Sequence, residues 1–259
     1  MLSTILETSR EIGYQIELLA RAARYLPRAL RRRRQISDQL FGAAVAVLHV
    51  VLLVGLFSGM ILALQTGIEL MRFGQQDQIG YIVALSIARE MGPFITGIVL
   101  AATVGSALAA ELGTMSVSDE LAALEILSID RDDFLVMPRI LSLALAGPLL
   151  TIVCDAVGIV GGGLVAQAQL SVEPRLYYDS AFDALQTSER FFSLPKDVYV
   201  GLFKSFAFGT IIATISCAVG VKTRGGAIGV GQSTRRAVRD SIIAIIIANY
   251  FLTWIFYQA

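Results

Sequence analysis

The chain has 259 residues, 55% hydrophobic and 16% charged, with a mean hydropathy of +0.68. Soluble domains hold roughly 45–50% apolar residues, so a water-soluble globule is excluded in favour of a membrane protein. Lys and Arg number 21 and Asp and Glu 21; this balance lacks the basic surplus of a nucleic-acid binder.

In residues 1–38, Ile5, Ile12, Ile16, Leu19 and Ala23 recur at helical spacing, and Arg31, Arg32, Arg33 and Arg34 crowd the far end. The pattern predicts an amphipathic interfacial helix on the inner leaflet, arginines toward anionic headgroups, with a break at Pro27. A simple positive-inside anchor fits the same residues. No short apolar core stands beside a small-residue cleavage site, and Glu7, Glu11 and Glu17 spoil the acid-poor pattern of a transit peptide.

Five stretches then hold the roughly 20 apolar residues that a bilayer-spanning helix needs. Residues 40–68 and 241–259 carry no charge. Residues 79–110 are interrupted by Arg89 and Glu90, 140–172 by Asp155, and 198–221 by Lys204. The runs lack the alternation of a β-barrel, so the fold class is an all-α polytopic membrane protein with about five transmembrane helices. Basic residues set its orientation. Arg10, Arg21, Arg24, Arg28 and the arginines at 31–34 join Arg131, Arg139, Lys222, Arg224, Arg235, Arg236 and Arg239 on one side, 15 in all; Arg72, Arg175, Arg190 and Lys196 stand on the other. The N-terminus is therefore expected in the cytoplasm and the C-terminus outside.

Within the first span, His49 reads as a packed side chain. Gly55-x-x-x-Gly59, like Gly158-x-x-x-Gly162 in the third, predicts close helix contact inside the molecule. A charge near the bilayer centre costs roughly 2.5–3.5 kcal/mol on insertion scales, so Arg89 and Glu90 must face protein, water or a ligand. Pro93 cannot donate to the Arg89 carbonyl, which predicts a kink. A broken, charged mid-span segment suits ligand binding, and Lys204 and Asn249 could reach the same cavity. Mutual neutralisation of Arg89 and Glu90 is the structural alternative.

Residues 105–127 read GSALAAELGTMSVSDELAALEIL. Ser116 and Asp119 are spaced as in a capping box, and Val117, Leu121, Leu124 and Leu127 follow at helical spacing. Glu111, Asp119, Glu120 and Glu125 make the segment too polar to span. It predicts a cytoplasmic surface helix, apolar face toward the spans and acidic face toward a soluble partner; a plain solvated loop helix has the same pattern.

Cys154 and Cys217 lie in spans and read as small packing residues, and Asp155 as a hydrogen-bonded packing group. The segment 224–231, RGGAIGVG, lacks the Lys-Ser/Thr of a P-loop and follows a span rather than a strand. It reads as a flexible cytoplasmic turn, and the chain as having no ATPase of its own. No metal motif and no catalytic set assembles.

These residues together carry a family resemblance. Ala88-Arg-Glu-Met-Gly-Pro93, Gly105-Ser-Ala-Leu-Ala-Ala-Glu-Leu-Gly-Thr-Met115 and Asp119-Glu-Leu-Ala-Ala-Leu124 resemble the MlaE (YrbE-type) permease family. So do Pro138-Arg139, Gly225-Gly-Ala-Ile-Gly-Val-Gly231 and Ser233-Thr-Arg-Arg-Ala-Val238, in the same order from about residue 40 onward. The resemblance implies a non-enzymatic, multi-pass inner-membrane subunit of an ABC-type transporter that moves phospholipids between inner and outer membranes and serves outer-membrane lipid asymmetry. It implies a homodimer with a cytoplasmic ATPase, which binds the ATP, an MCE-domain protein outside and a small STAS-type accessory subunit. The chain then needs no cofactor or metal, and residues 40–259 form one permease domain behind the interfacial segment 1–38.

The resemblance also places a coupling helix at about 111–127, with Glu111, Leu112, Gly113, Met115, Asp119 and Glu120 docking the ATPase. Arg89, Glu90 and Lys204, joined by Asn249, fall in or near a lipid-binding cavity between protomers, where Arg89 or Lys204 would hold a phosphate. Three positions depart from the family pattern: Thr103 stands where many members carry Arg, Arg131 where a Pro often follows the Asp at 130, and Asn249 where some relatives are acidic. A secondary transporter is the rival reading, but it should show an internal repeat, and none is visible.

Overall fold

The computed structural model describes residues 2–187, 190–191 and 194–258, and nearly all are helical. The side chains of Ile5, Arg31 and Arg190 lie outside the described residues. Helix α1 (Leu2–Arg24) gives way to a 3-10 turn over Leu26–Arg32. That break falls at Pro27, whose ring carries no N–H and clashes with the carbonyl four residues back. There follow α2 (Arg33–Arg72), α3 (Gln76–Val117), α4 (Glu120–Ile126), α5 (Asp132–Leu170), α6 (Pro174–Thr187), α7 (Lys196–Val221) and α8 (Gly226–Gln258). Among these, α2, α3, α5, α7 and α8 are long and apolar enough to cross a membrane. A two-residue antiparallel ladder pairs Arg190 with Pro195 and Phe191 with Leu194.

The chain forms two compact units, and each long helix contributes a stretch to both. The first takes residues 1–46, 100–146 and 207–248. Here α1 buries Leu18 and Ala22 and leaves Ile12 and Ile16 exposed, so its apolar residues divide between two faces. Arg32 is spent on protein: its Nη2 donates to Asp133 Oδ2 at 2.6 Å and its guanidinium lies 5.1 Å over the Phe134 ring. The expectation that the whole arginine run faces headgroups is thereby corrected, though Arg33 and Arg34 are exposed. Ser142 Oγ lies 3.0 Å from the Ile36 carbonyl, pinning the start of α5 to α2.

Two further expectations change in this unit. Segment 111–127 is not one helix: α3 runs to Val117, Asp119 takes a left-handed conformation (φ 60°), and α4 is only seven residues long. Ser116 makes no capping box; its hydroxyl sits 3.1 Å from the carbonyls of both Val221 and Thr223, tying α3 to the end of α7. The predicted flexible turn at 224–231 is mostly helix, because α8 begins at Gly226 and only residues 222–225 are non-helical.

The second unit takes residues 47–99, 147–206 and 249–259. Its α2 stretch buries Val47, Val51, Gly55, Gly59 and Ala63, every fourth residue. Gly59 meets Gly158 so closely that a Cβ on it would collide with the Gly158 carbonyl, which is the helix contact the small-residue spacing predicts. His49 falls off that stripe and is exposed, a correction to its packed reading. Helix α6 lays Tyr177, fully buried, among Ala63, Ile79, Val83, Val165 and Ala166, and the tyrosine hydroxyl donates to the Ile159 carbonyl at 3.1 Å.

Pro93 produces no bare kink. The α3 helix widens instead into a π turn over Ile87–Met91, and the Gly92 N–H reaches back five residues to the Ile87 carbonyl. The register shift absorbs the donor that proline lacks.

Candidate functional site

That π turn carries Arg89 and Glu90, both within the second unit. Helix α7 offers Asp197 and Lys204 at i and i+7, and α8 offers Asn249, Thr253 and Tyr257 at i, i+4 and i+8, one face in each case. The α7 backbone comes close enough that a Cβ on Gly201 would strike the Ala88 carbonyl. All four residues expected at a lipid site are thus brought together.

Glu90 is the hub. Its Oε1 accepts from Lys204 Nζ at 2.6 Å and from Thr253 Oγ1 at 3.0 Å, and its Oε2 accepts from Asn249 Nδ2 at 3.1 Å. Lys204 is fully buried. An ammonium has three donors, and they go to Glu90, to Thr253 Oγ1 at 2.8 Å and to the Arg89 carbonyl at 3.2 Å. Lys204 therefore has no donor left for a ligand phosphate. Asn249 suits this hub as an amide donor, where a carboxylate would face Glu90 with like charge; this accounts for one departure from the family pattern.

Arg89 points elsewhere. Its Nε donates to Asp197 Oδ1 at 2.8 Å, and its guanidinium lies 4.3 Å over the Tyr257 ring. The Tyr257 hydroxyl donates to the same Asp197 oxygen at 2.6 Å. The Arg89 side chain remains one-third exposed, and the terminal nitrogens of its fork keep donors for an anion. Arg89 and Glu90 do not neutralise each other: each has its own partner on another helix.

Two apolar hollows lie nearby in the same unit. One, of about 190 Å³, is lined by Gly55, Gly59, Ile87, Met91 and Cys154 among others; the second, of about 370 Å³, by Ile152, Asp155, Ile159, Tyr178 and Phe182. Neither contains Arg89, Glu90, Lys204 or Asn249. Asp155 Oδ1 is buried without a hydrogen-bond partner among the described residues, which corrects its reading as a satisfied packing group. Cys154 and Cys217 are buried and free.

The expected coupling residues sort by exposure within the first unit. Leu112 and Gly113 are buried, whereas Glu111, Asp119 and Glu120 are exposed and Met115 lies between. Glu111 Oε1 accepts from Arg139 Nη2 at 2.8 Å, a buried arginine that sequence reasoning left in a loop tally. Only Leu121 of the expected apolar face turns fully inward; Leu127 is 69% exposed and its neighbour Ile126 84%. Arg131 bridges to Glu125 at 3.1 Å, so the turn after α4 is held by an ion pair.

A profile of the family described as Permease MlaE matches residues 36–255. The chain belongs to the MlaE permease family. It is 38% identical over 226 residues to a probable ABC transporter permease protein of Synechocystis sp., covering 87% of this chain and 83% of that protein. It is 40% identical over 225 residues to the chloroplastic protein TRIGALACTOSYLDIACYLGLYCEROL 1 of Arabidopsis thaliana, covering 87% of this chain and 62% of that protein. A probable ABC transporter permease protein of Rickettsia bellii is 38% identical, over 86% of this chain and 83% of its own length. The MlaE match takes in the Glu90 hub and segment 111–127 and leaves α1 outside.

Proposed function

We propose that this MlaE permease is the membrane subunit of an ABC-type transporter that moves phospholipids between the inner and outer membranes. The observation that carries the lipid site is the Glu90–Lys204 pair with Asn249 and Thr253, an ionic network within apolar spans. A buried ion pair is poor value as a stabiliser, because desolvation rivals the Coulomb gain. Its use here is to fix the π turn so that Arg89 presents its fork to a lipid phosphate while apolar helix faces take the acyl chains. Lys204 and Asn249 position; Arg89 binds.

In this reading the permease works as a homodimer in the inner membrane, N-terminus cytoplasmic, with the lipid cavity between protomers. A partner ATPase binds and hydrolyses ATP, an MCE-domain protein receives lipid outside, and a STAS-type subunit accompanies the ATPase. The ATPase contact is the exposed rim of α4 and the end of α3: Glu111, Asp119, Glu120, Ile126 and Leu127. Leu112 and Gly113 support that rim from within the bundle.

Purification of tagged protein from its native host in mild detergent, with mass spectrometry of bound proteins and lipids, tests the proposal. An ATPase, an MCE-domain protein and phospholipid are expected together, and Arg89→Glu is expected to lower retained phospholipid with the assembly intact. Glu111→Lys is expected to leave the protein in the membrane and abolish ATPase docking. A lone chain without an ATPase would favour a secondary transporter, and unchanged lipid in the Arg89 variant would remove that residue from the site.

A further inference from the structure

A polar hollow lies in the first unit beside α1, with a volume of about 190 Å³. Its walls include Glu11 and Tyr14 of α1, Lys222 and Arg224 of the turn after α7, and Ser233 and Arg236 of α8. We propose that this hollow binds the phosphate of an anionic phospholipid headgroup, taken from the leaflet on which α1 rests. The site is separate from the Arg89 region and does not rest on the transport reading.

The charges in the hollow do not cancel. Its one carboxylate, Glu11, is committed to Arg236, which also lies 3.4 Å from Asp240. Lys222 and Arg224 have no carboxylate within ion-pair distance among the described residues. The Lys222 ammonium rests 3.4 Å from the centre of the Tyr14 ring, so α1 fixes its place by a cation–π contact. Burial pushes that ammonium below the ordinary lysine range, with Glu11 pulling the other way, as expected of a cation short of a counter-ion. Ser233 Oγ lies 2.8 Å from the Thr223 hydroxyl, which also reaches the Val219 carbonyl at 3.1 Å, and adds a hydroxyl to the wall. Two surplus cations beside a hydroxyl match a group with several anionic oxygens, and phosphate is that group.

Position selects a lipid as the source. Lys222 directly follows Val221, the last residue of a membrane-crossing helix, which sets it at headgroup level. On the outer side of α1, Ile12 is 50% and Ile16 64% exposed, one turn apart. An interfacial helix buries such residues among acyl chains. The same helix thus contacts lipid on one side and orients the Lys222 cation on the other.

Native mass spectrometry of the full-length protein in detergent, titrated with phosphatidylglycerol or phosphatidylcholine of matched chains, tests the site. Phosphatidylglycerol is expected to bind more tightly, and the double variant Lys222→Gln/Arg224→Gln to weaken it about tenfold without changing phosphatidylcholine binding. Lys222→Arg should retain it, and the readout is the preference between the two lipids rather than the total phospholipid bound, which keeps the site distinguishable from the transport cavity. Equal binding of the two lipids, or no loss in the double variant, would overturn the proposal. Displacement of phosphatidylglycerol by millimolar inorganic phosphate would overturn the lipid source in favour of a free anion. A copurifying acidic protein lost in the double variant, with lipid binding unchanged, would replace the lipid by that protein. A double variant that loses thermal stability is read through Tyr14→Leu, which removes the cation–π rest and is expected to lower the same preference.

Discussion

Ion pairs occur in both units, but at different places along the helices. In the second unit, Glu90 and Lys204 meet at 2.6 Å within apolar spans, the lysine fully buried and the glutamate 32% exposed, with three other side chains or backbone groups completing their hydrogen bonds. In the first, Arg32–Asp133, Arg131–Glu125 and Arg139–Glu111 stand near helix ends. Water can replace a lost partner near the helix ends and is a poor substitute within the apolar spans. The two kinds of pair look alike in sequence, yet removing one member should have very different consequences.

The largest effect is expected from Lys204→Met. It leaves the Glu90 carboxylate without its cation among apolar spans; breaking a buried pair from one side typically costs about 3–5 kcal/mol, an upper bound here because Glu90 is 32% exposed. Adding Glu90→Gln should recover most of that loss, since the pair as a whole contributes little net stability. Thermal unfolding in detergent reads both. A double variant as unstable as the single would mean that the two residues act independently.

Arg139→Met sharpens the contrast from the other side. Arg139 is as buried as its counterpart, only 4% exposed, but the carboxylate it leaves behind, Glu111, is 59% exposed. Arg139 also keeps Nη1 buried without a partner, a cost that methionine removes. The expected destabilisation is within about 1 kcal/mol, as for a solvent-facing pair. A loss matching that of Lys204→Met would show that burial of either partner suffices. Asp133→Asn, which removes the charge of a side chain 13% exposed but keeps an acceptor for Arg32, should cost less again, a few tenths of a kcal/mol in the same assay.

The sequence exposed much of this contrast, and its misses have local causes. Apolar runs near 20 residues located all five spans, because a bilayer demands length and hydropathy whatever the packing. Charges isolated in those runs marked Arg89, Glu90 and Lys204, since only partners or ligands make them tolerable. Which donor meets which acceptor was not legible. That depends on the π turn at Ile87–Met91, a one-residue register shift that Pro93 hints at but does not specify. Segment 111–127 misled because Ser116 and Asp119 satisfy the capping pattern while a tertiary contact to the Val221 and Thr223 carbonyls takes the serine hydroxyl. The glycine run at 225–231 looked like a loop because glycine disfavours helices, yet α8 absorbs it from Gly226 on; tertiary packing outweighs roughly 1 kcal/mol per glycine.

The smallest effect belongs to the turn before α5, where Asp130 does the capping that Ser116 was expected to do. Its Oδ1 accepts from the backbone N–H of Asp132 at 2.8 Å, and its Oδ2 accepts from the Tyr25 hydroxyl. Burial works against the Asp130 charge, but these hydrogen bonds win and hold the carboxyl below the ordinary aspartate range. A carboxyl so lowered adds stability above its unfolded value, about 3.9, and loses it as pH falls through the lower folded value. Tyr25→Phe removes one of the bonds that depress it. The variant should unfold slightly earlier than the parent at pH 7, and the gap should close in acid once Asp130 is protonated in both. A gap that persists unchanged at low pH would assign the Tyr25 contribution to packing of α1 rather than to its bond with the carboxylate.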